Sequence, residues 1–167
     1  MALALRGRGN GAGRADGVGD YTVHMTDESP AEPLEIRSIF SYHAHIYWST
    51  PEQREVALRV REQIAARFSV QLGRVHDVAV GPHPIAMYQI AFATEVFARL
   101  TPWLMLNRGG LSVLVHPNTG HARDDHERNP LWLGAPLALL TESLPNEPGT
   151  DGISEVVANT SPTLPAA

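Results

Sequence analysis

Cysteine is absent from all 167 residues, which excludes disulfide bonds, thiolate metal sites and cysteine nucleophiles. A chain without disulfides suits a reducing compartment, so we expect a cytoplasmic protein. Long apolar runs are also missing, because Arg6, Gly7 and Arg8 interrupt the apolar stretch at the start of the chain. We therefore expect no secretion signal, no membrane-spanning segment and no membrane partner.

The chain also lacks a basic surface. Lysine and arginine number 13 against 18 acidic residues, for a net charge of -5, and arginines such as Arg54 and Arg59 alternate with acidic and apolar neighbours. Nucleic acid is therefore not an expected partner. The sequence has no glycine-rich dinucleotide fingerprint, Walker loop, Gly-x-Ser-x-Gly elbow or His-Glu-x-x-His helix, so the enzyme classes that depend on those motifs are not indicated.

The two ends differ in composition from the middle. Residues 6–20 are rich in glycine and poor in large apolar groups, and proline, glycine and small polar residues return from Pro145. Such segments cannot bury enough surface to offset their ordering entropy. We predict a disordered tail over residues 1–34, within which Met25 is an alternative translational start, one domain over 35–144, and a flexible tail over 145–167.

Hydrophobic periodicity in the middle alternates between strand and helix. Strands are predicted at Ile39–Trp48, Val70–Val80, Met87–Ala93 and Leu111–Val115, and helices at Pro51–Phe68 and Thr94–Leu106. The order βαββαβ predicts an α+β, ferredoxin-like fold: an antiparallel sheet with two helices on one face. The opposite face of that sheet remains free for a site or a partner.

Eight histidines occur in this short chain, and four of them are predicted to lie around one sheet face. His43 and His45 alternate on the same face of the first strand, His83 lies in a Gly-Pro-His-Pro turn, and His116 ends a neighbouring strand. Imidazoles suit iron, zinc, copper or nickel, and without cysteine an open catalytic site is favoured over a closed structural one. The alternative is that each is an ordinary hydrogen-bonded or exposed strand or turn histidine.

A polar loop follows His116 and is predicted to span residues 121–129. Its Asp125–His126 pair resembles an acid–base arrangement in which a carboxylate orients one ring nitrogen and raises the basicity of the other. A solvated charged loop is the alternative interpretation.

Seven short motifs in order resemble the DOPA 4,5-dioxygenase family over about residues 36–140. They are Tyr42-His43-Ala44-His45-Ile46-Tyr47, Gly81-Pro82-His83-Pro84, Gln89 before an apolar run, Pro102-Trp103-Leu104-Met105-Leu106-Asn107-Arg108, His116-Pro117 with Thr119-Gly120, Asp125-His126, and Trp132-Leu133-Gly134. The resemblance implies a ferredoxin-like fold, often in homodimers. It also implies an extradiol dioxygenase that opens the ring of L-DOPA or a related catechol with O2, giving betalamic acid- or muscaflavin-type products.

The resemblance also implies roles for individual residues. Fe(II), with zinc or another divalent metal possible in isolated protein, would be held by three of the four residues His43, His45, His83 and His116. His126 would act as acid or base, and Tyr47 would contact the catechol. No motif carboxylate is an evident ligand, unlike in iron sites with two histidines and one carboxylate.

Two other functions fit the same residues. One is a noncatalytic ferredoxin-like module that uses its open sheet face for dimerisation or ligand binding and holds metal only structurally. The other is a metal-dependent hydrolase in which the histidines serve to activate water.

Overall fold

A computed structural model describes residues 32–145, 147–150 and 154–166. Most of the predicted N-terminal tail, including His24, lies outside these ranges. Short 3-10 helices occur at Ile36–Ser38, Thr94–Val96 and Thr141–Ser143. The strands and α-helices are β1 Ser41–Tyr47, α1 Pro51–Ala65, β2 Gln71–His76, β3 Met87–Phe92, α2 Phe97–Asn107, β4 Val113–Asn118, α3 Ala122–Glu127 and β5 Leu131–Leu133.

The described strands form one antiparallel sheet in the order β2-β3-β1-β4-β5. The first four strands in this order have the arrangement of the split βαβ fold, and β5 extends the sheet beyond β4. The ferredoxin-like α+β prediction is therefore confirmed. Because β1 lies between β3 and β4, its side chains are at the centre of both sheet faces.

Local sequence signals account for where α1 begins. The side chain of Thr50 accepts a hydrogen bond from the Gln53 amide at 3.3 Å, and the Gln53 side chain accepts one from the Ser49 amide at 2.8 Å. Pro51 occupies the first helical position, where its missing N–H costs nothing. These contacts satisfy amides that would otherwise lack partners at the helix start. None of the helices in the described ranges has the length and apolar content needed to cross a bilayer.

The main core lies between the sheet and the two long helices. Alternation along β1 directs Ala44 and Ile46 into this core, where both are fully buried. The helices contribute the opposite wall, with Val60 and Ile64 from α1 and Leu100 and Leu104 from α2. Helices α1 and α2 therefore cover one face, as predicted, and the histidines of β1 are on the other.

Some predictions of the local structure were wrong. Strand β2 ends at His76 and not at Val80. Strand β4 does not end at Val115 but continues to Asn118, so His116 lies inside the strand. Pro117 is tolerated there because β5 pairs only with Val113–Val115, which leaves the end of β4 bonded on one side. The predicted loop at 121–129 contains the short helix α3.

The C-terminal residues make specific contacts with the domain. The side chain of Asn159 bonds the backbone of Leu72 in both directions, at 2.8 and 3.0 Å, and the Thr160 hydroxyl lies 2.9 Å from the Val70 amide. Ala166 is only 7% exposed and joins the main core. Flexibility of residues 145–167 stays a prediction, but residues 159–166 are tied to β2 and to the end of α1.

Candidate metal centre

Strand pairing on the uncovered sheet face brings three histidines together. His43 and His45 are two residues apart on β1, and His116 of β4 lies directly opposite His43 in the antiparallel register. Since side chains two residues apart point to the same face, all three rings occupy one surface. The rings of His43 and His116 are 5.2 Å apart between centroids, as are those of His45 and His116.

A tight turn adds His83 to this group. Val80 and His83 exchange backbone hydrogen bonds of 3.1 and 3.0 Å across the turn, and Gly81 adopts the positive φ of 54° that favours glycine. The ring centroid of His83 lies 4.1 Å from that of His45. The proximity of His83 to His45, expected from the sequence, is therefore present in the structure.

Helix α3 brings in His126, whose ring centroid is 4.0 Å from that of His116. The helix is held at its start by Asp125, whose carboxylate accepts from the amide and the hydroxyl of Thr119 at 2.8 and 2.7 Å. The predicted orientation of His126 by Asp125 was therefore wrong. Instead, Nδ1 of His126 bonds the Ala122 carbonyl at 2.8 Å, one helical turn earlier.

A further tether connects the two segments that carry His83 and His126. The guanidinium of Arg123 in α3 donates to the carbonyls of Leu144 and Glu142 at 2.9 and 3.1 Å. The Leu140 amide in turn donates to the Pro82 carbonyl at 2.8 Å. Residues 140–144 thus join the turn of His83 to helix α3 across the edge of the site.

The ring nitrogens are spaced as ligands of one ion. Two sets of three, sharing His45, have potential ligand atoms all within 4.8 Å of one another: His43 with His45 and His116, and His45 with His83 and His126. Nε2 of His45 and Nε2 of His116 are 3.1 Å apart. Two nitrogens bound about 2.0–2.1 Å from one metal are separated by about 2.8–3.0 Å at octahedral angles and by about 3.3–3.4 Å at tetrahedral angles. The observed separation of the two Nε2 atoms lies between these two values.

Hydrogen bonds on the outer side of the rings fix which nitrogen faces the site. Nδ1 of His116 lies 2.8 Å from the Pro117 carbonyl, and His126 makes the equivalent contact with Ala122. A carbonyl only accepts, so Nδ1 carries the proton in both rings and Nε2 keeps its lone pair. Metal-binding histidines are oriented in this way in general. Nδ1 of His45 is buried without a hydrogen-bond partner among the described residues.

Burial keeps these histidines uncharged. It lowers the pKa of His43 to about 4 and that of His83 to about 3, and neighbouring histidines add to both shifts. Burial also holds the pKa values of His45 and His116 well below the ordinary value and lowers that of His126. Neutral imidazole is the form that binds metal, so the five rings are in a ligating state at neutral pH.

No carboxylate belongs to either potential ligand set within the described ranges. Asp125 lines the cavity, but both of its oxygens are occupied by Thr119. The donor set therefore suits a borderline metal such as iron, zinc, copper or nickel, and it does not suit magnesium or calcium, which prefer oxygen ligands. The residues present thus fit a transition-metal ion.

Tyr47 occupies a different place from the one expected. Its side chain is 2% exposed, and it does not line the histidine cavity, which has a volume of about 190 Å³. Its hydroxyl is 2.8 Å from Nδ1 of His83, and its ring stacks on Trp132 with centroids 5.8 Å apart. The substrate contact of Tyr47 stays a prediction, and the structure places this residue behind His83.

The structure adds two polar side chains that the sequence prediction did not assign to the cavity: Gln89 and Asn118. Gln89 lies opposite His45 in the register of β1 and β3. Asn118 follows His116 by two residues, so it shares the same sheet face, and it donates to the Ser41 hydroxyl at 2.8 Å. Extending the predicted fourth strand through Pro117 was the step needed to find Asn118.

Comparisons with known proteins agree on one family. A sequence profile described as the Dopa 4,5-dioxygenase family matches residues 42–143, a span that includes all five clustered histidines. An uncharacterized 21.2 kDa protein of Botryotinia fuckeliana is 37% identical over 123 residues, covering 67% of each chain. A DOPA 4,5-dioxygenase of Amanita muscaria is 34% identical over 133 residues, which are 74% of this chain and 58% of that protein.

A solved structure shows the same similarity. The crystal structure of a candidate dioxygenase from Nostoc punctiforme is 53% identical to this chain and superposes with a TM-score of 0.66. The match covers 67% of this chain and 96% of the Nostoc protein. At this identity, the likeness extends beyond the fold to the sequence of the domain.

Proposed function

The chain belongs to the Dopa 4,5-dioxygenase family, and from this membership we propose that it is a metal-dependent extradiol dioxygenase that opens the ring of a catechol such as L-DOPA. The observation that carries the proposal is the gathering of five histidine rings at one cavity on the uncovered sheet face. The relatives from Amanita and Nostoc, described as dioxygenases, support the reaction type.

The metal fits the protein through His45, which belongs to both potential ligand sets. His43 and His116, or His83 and His126, would complete the set. When bound, a redox-active divalent ion such as Fe(II) supplies the electronic route between a catechol and O2, two species that do not react directly because of their different spin states. Zinc in an isolated sample would occupy the same residues without supporting that route.

The neutral ligand set favours an anionic substrate. Imidazoles contribute no charge, so a divalent ion held by them would keep its full positive charge and would favour a deprotonated catechol. The cavity volume of about 190 Å³ suits a single aromatic ring, and Pro82 and Leu144 contribute apolar surface to its walls.

His126 is suited to accept the catechol proton if the first ligand set, His43 with His45 and His116, binds the metal. Its Nδ1–H donates to Ala122, so the lone pair of Nε2 is directed to the cavity, and its lowered pKa leaves it in the basic form at neutral pH. In the second ligand set the same Nε2 would bind the ion instead. The two assignments differ in what removal of His126 does to the metal.

Iron content and oxygen uptake test the proposal. Protein loaded anaerobically with Fe(II) is expected to consume O2 with L-DOPA and to yield a product equal to the substrate plus one O2. His45→Ala should lose both iron and uptake, whereas His121→Ala, an exposed histidine outside the cluster, should keep both. His126→Ala should retain iron and lose turnover about a hundredfold or more, the usual size of a general-base contribution.

Each result has a defined consequence. Full oxygen uptake by His45→Ala would refute the metal centre. Loss of iron in His126→Ala would assign this residue as a ligand and select the second set. Tight iron binding without oxygen uptake for any catechol would favour the noncatalytic module, and ester or amide hydrolysis without O2 would favour the hydrolase.

A further inference from the structure

A second groove adjoins the histidine cavity. It has a volume of about 260 Å³ and shares Pro82, His83 and Gln89 with that cavity. Its far wall is formed by β2, including Arg74 and His76. A ligand held at the histidines can therefore extend along the sheet face, past Gln89, to the strand that carries Arg74.

An irregularity in β2 directs Arg74 towards this groove. Leu72 pairs with Ile90 and Val75 with Tyr88, so two residues of β2 stand opposite Gln89 alone. In such a bulge, the extra residue changes the side to which the following side chain points. Gly73 permits the close strand approach, because a Cβ there would lie 3.1 Å from the Gln89 carbonyl oxygen. Arg74 consequently lines the groove, where a regular strand would have turned it to the core.

None of the described residues pairs its charge with Arg74. The groove lining includes no carboxylate, and Arg74 has no ion pair with any described residue. In contrast, Arg54 pairs with Asp77 at 2.6 Å and Arg59 approaches Glu55 at 3.9 Å. Arg74 is exposed, and its place in a groove beside the histidine cavity makes its guanidinium available to an anionic ligand bound there.

The dimensions indicate which anion fits. Two strand spacings separate β2 from β1, about 10 Å across the sheet, and the Arg74 side chain spans part of this distance. An aromatic ring at the histidines with an acidic side chain two or three carbons long would bring its carboxylate to the guanidinium. A ring without such a chain would not reach it.

We infer that Arg74, presented by the β2 bulge, is the anion subsite that selects catechols bearing a short side chain with a carboxylate. The inference rests on the proposed function for the position of the catechol ring. The carboxylate would accept two parallel hydrogen bonds from the guanidinium, the strongest arrangement for this pair.

Paired substrates test this subsite. For 3-(3,4-dihydroxyphenyl)propionate, Arg74→Gln should lower kcat/KM about tenfold or more, mainly through KM, since a hydrogen bond to a charged group is lost. For 4-methylcatechol the same variant should stay within about twofold of the unaltered protein. Arg59→Gln, on the opposite side of the sheet in α1, should change neither. An equal effect of Arg74→Gln on both substrates, or on neither, would overturn the inference.

A binding measurement separates this inference from the proposed reaction. Calorimetric titration of the purified protein with 3-phenylpropionate, which has the carboxylate but cannot be cleaved as a catechol, should show binding that weakens about tenfold in Arg74→Gln and falls with added salt. If no catechol supports oxygen uptake, the proposed function fails and this titration still decides the subsite. No binding to the unaltered protein, or equal binding to both proteins, would refute the role of Arg74.

Discussion

Tyr47 links the histidine centre to the apolar side chains on the same sheet face. Its hydroxyl contacts His83 at 2.8 Å, while its ring packs in a small cluster with Met87 and Leu114. Burial raises its pKa, so the hydroxyl stays protonated and neutral. Tyr47 therefore acts as a positioning residue that fixes the ring orientation of His83.

If His45, His83 and His126 hold the metal, removal of this hydroxyl should weaken metal binding without unfolding the protein. Tyr47→Phe keeps the ring packing and deletes only the contact to Nδ1, for which loss of an outer-shell partner typically costs about 10–100-fold in metal affinity. Competition with a chromophoric chelator measures that affinity. The matched control is Tyr88→Phe, which deletes a hydroxyl bonded to Ala57 at 2.9 Å on the helix-covered face; it should alter stability and leave metal affinity unchanged. Equal metal affinity in Tyr47→Phe and the unaltered protein would show that His83 does not hold the metal and would select the set His43, His45 and His116.

For single residues, the sequence predicted the sheet face on which a side chain lies better than the residues that the side chain contacts. Strand alternation placed His43, His45 and Tyr47 on one side, because the period of two is a property of the backbone. It could not predict that Tyr47 is buried behind His83, because depth depends on Trp132 and on the turn of His83, which are distant in sequence. It also could not reveal the orientation of His126 by Ala122, which required knowing that helix α3 exists.

Helix α3 shows why a short element escapes sequence analysis. Six residues are too few to form a stable helix alone, and the polar composition of this segment is equally typical of a loop. The helix is stabilised by contacts outside its own sequence: Thr119 with Asp125 at one end, and Arg123 with the carbonyls of residues 142 and 144. The longer α1 was predictable because its cap and apolar stripe are local.

The end of α2 depends on two glycines with different surroundings. Gly109 and Gly110 have φ values of 62° and 80°, which disfavour residues with a Cβ. A Cβ on Gly109 would in addition collide with Val56 of α1, whereas one on Gly110 would meet no atom within 4 Å. The first glycine therefore also sets how closely the turn approaches α1.

Alanine at the two positions should separate the two effects. Gly110→Ala is expected to cost about 1–2 kcal/mol from the left-handed backbone alone. Gly109→Ala adds the collision with Val56, so the total should exceed that of Gly110→Ala by about 1–3 kcal/mol. Urea denaturation of both variants measures the difference in the free energy of unfolding. Equal destabilisation would mean that Val56 moves aside and that the packing at Gly109 is not restrictive.

For the whole molecule, the order of elements was predictable from periodicity, whereas the addition of β5 and the C-terminal contacts was not. β5 has three residues, and Asn159 and Thr160 bond to backbone groups about ninety positions away, so no local pattern marks either.

The homodimer and the cytoplasmic location stay predictions. Exposed apolar side chains such as Ile36, Phe40 and Leu106, which are 81%, 52% and 86% exposed, are candidate contacts for a second copy.

The clustered histidines should make the metal-free protein sensitive to mild acid. The pKa values of all five are lowered in the folded state, to about 4 for His43 and about 3 for His83, while an unfolded chain titrates near the ordinary value of about 6.5. Between these values the unfolded state binds more protons, so the free energy of unfolding must fall as pH decreases below about 6.5. Above about pH 6.5 the histidines' contribution to the free energy of unfolding is constant. Below their pKa values in the folded state, this contribution stops changing.

The slope of the free energy of unfolding against pH identifies the histidines as the cause of this acid sensitivity. Each histidine with a lowered pKa contributes up to about 1.4 kcal/mol per pH unit within the window, and ordinary carboxylates titrate mostly below it. Urea denaturation of chelator-treated protein at pH 7, 6 and 5 should therefore show a progressive loss of stability, and His83→Gln should show a shallower one because one such group is gone. A free energy of unfolding that is unchanged from pH 7 to pH 5 would contradict the neutral state of the buried cluster and weaken the argument that its rings are ready to bind a metal.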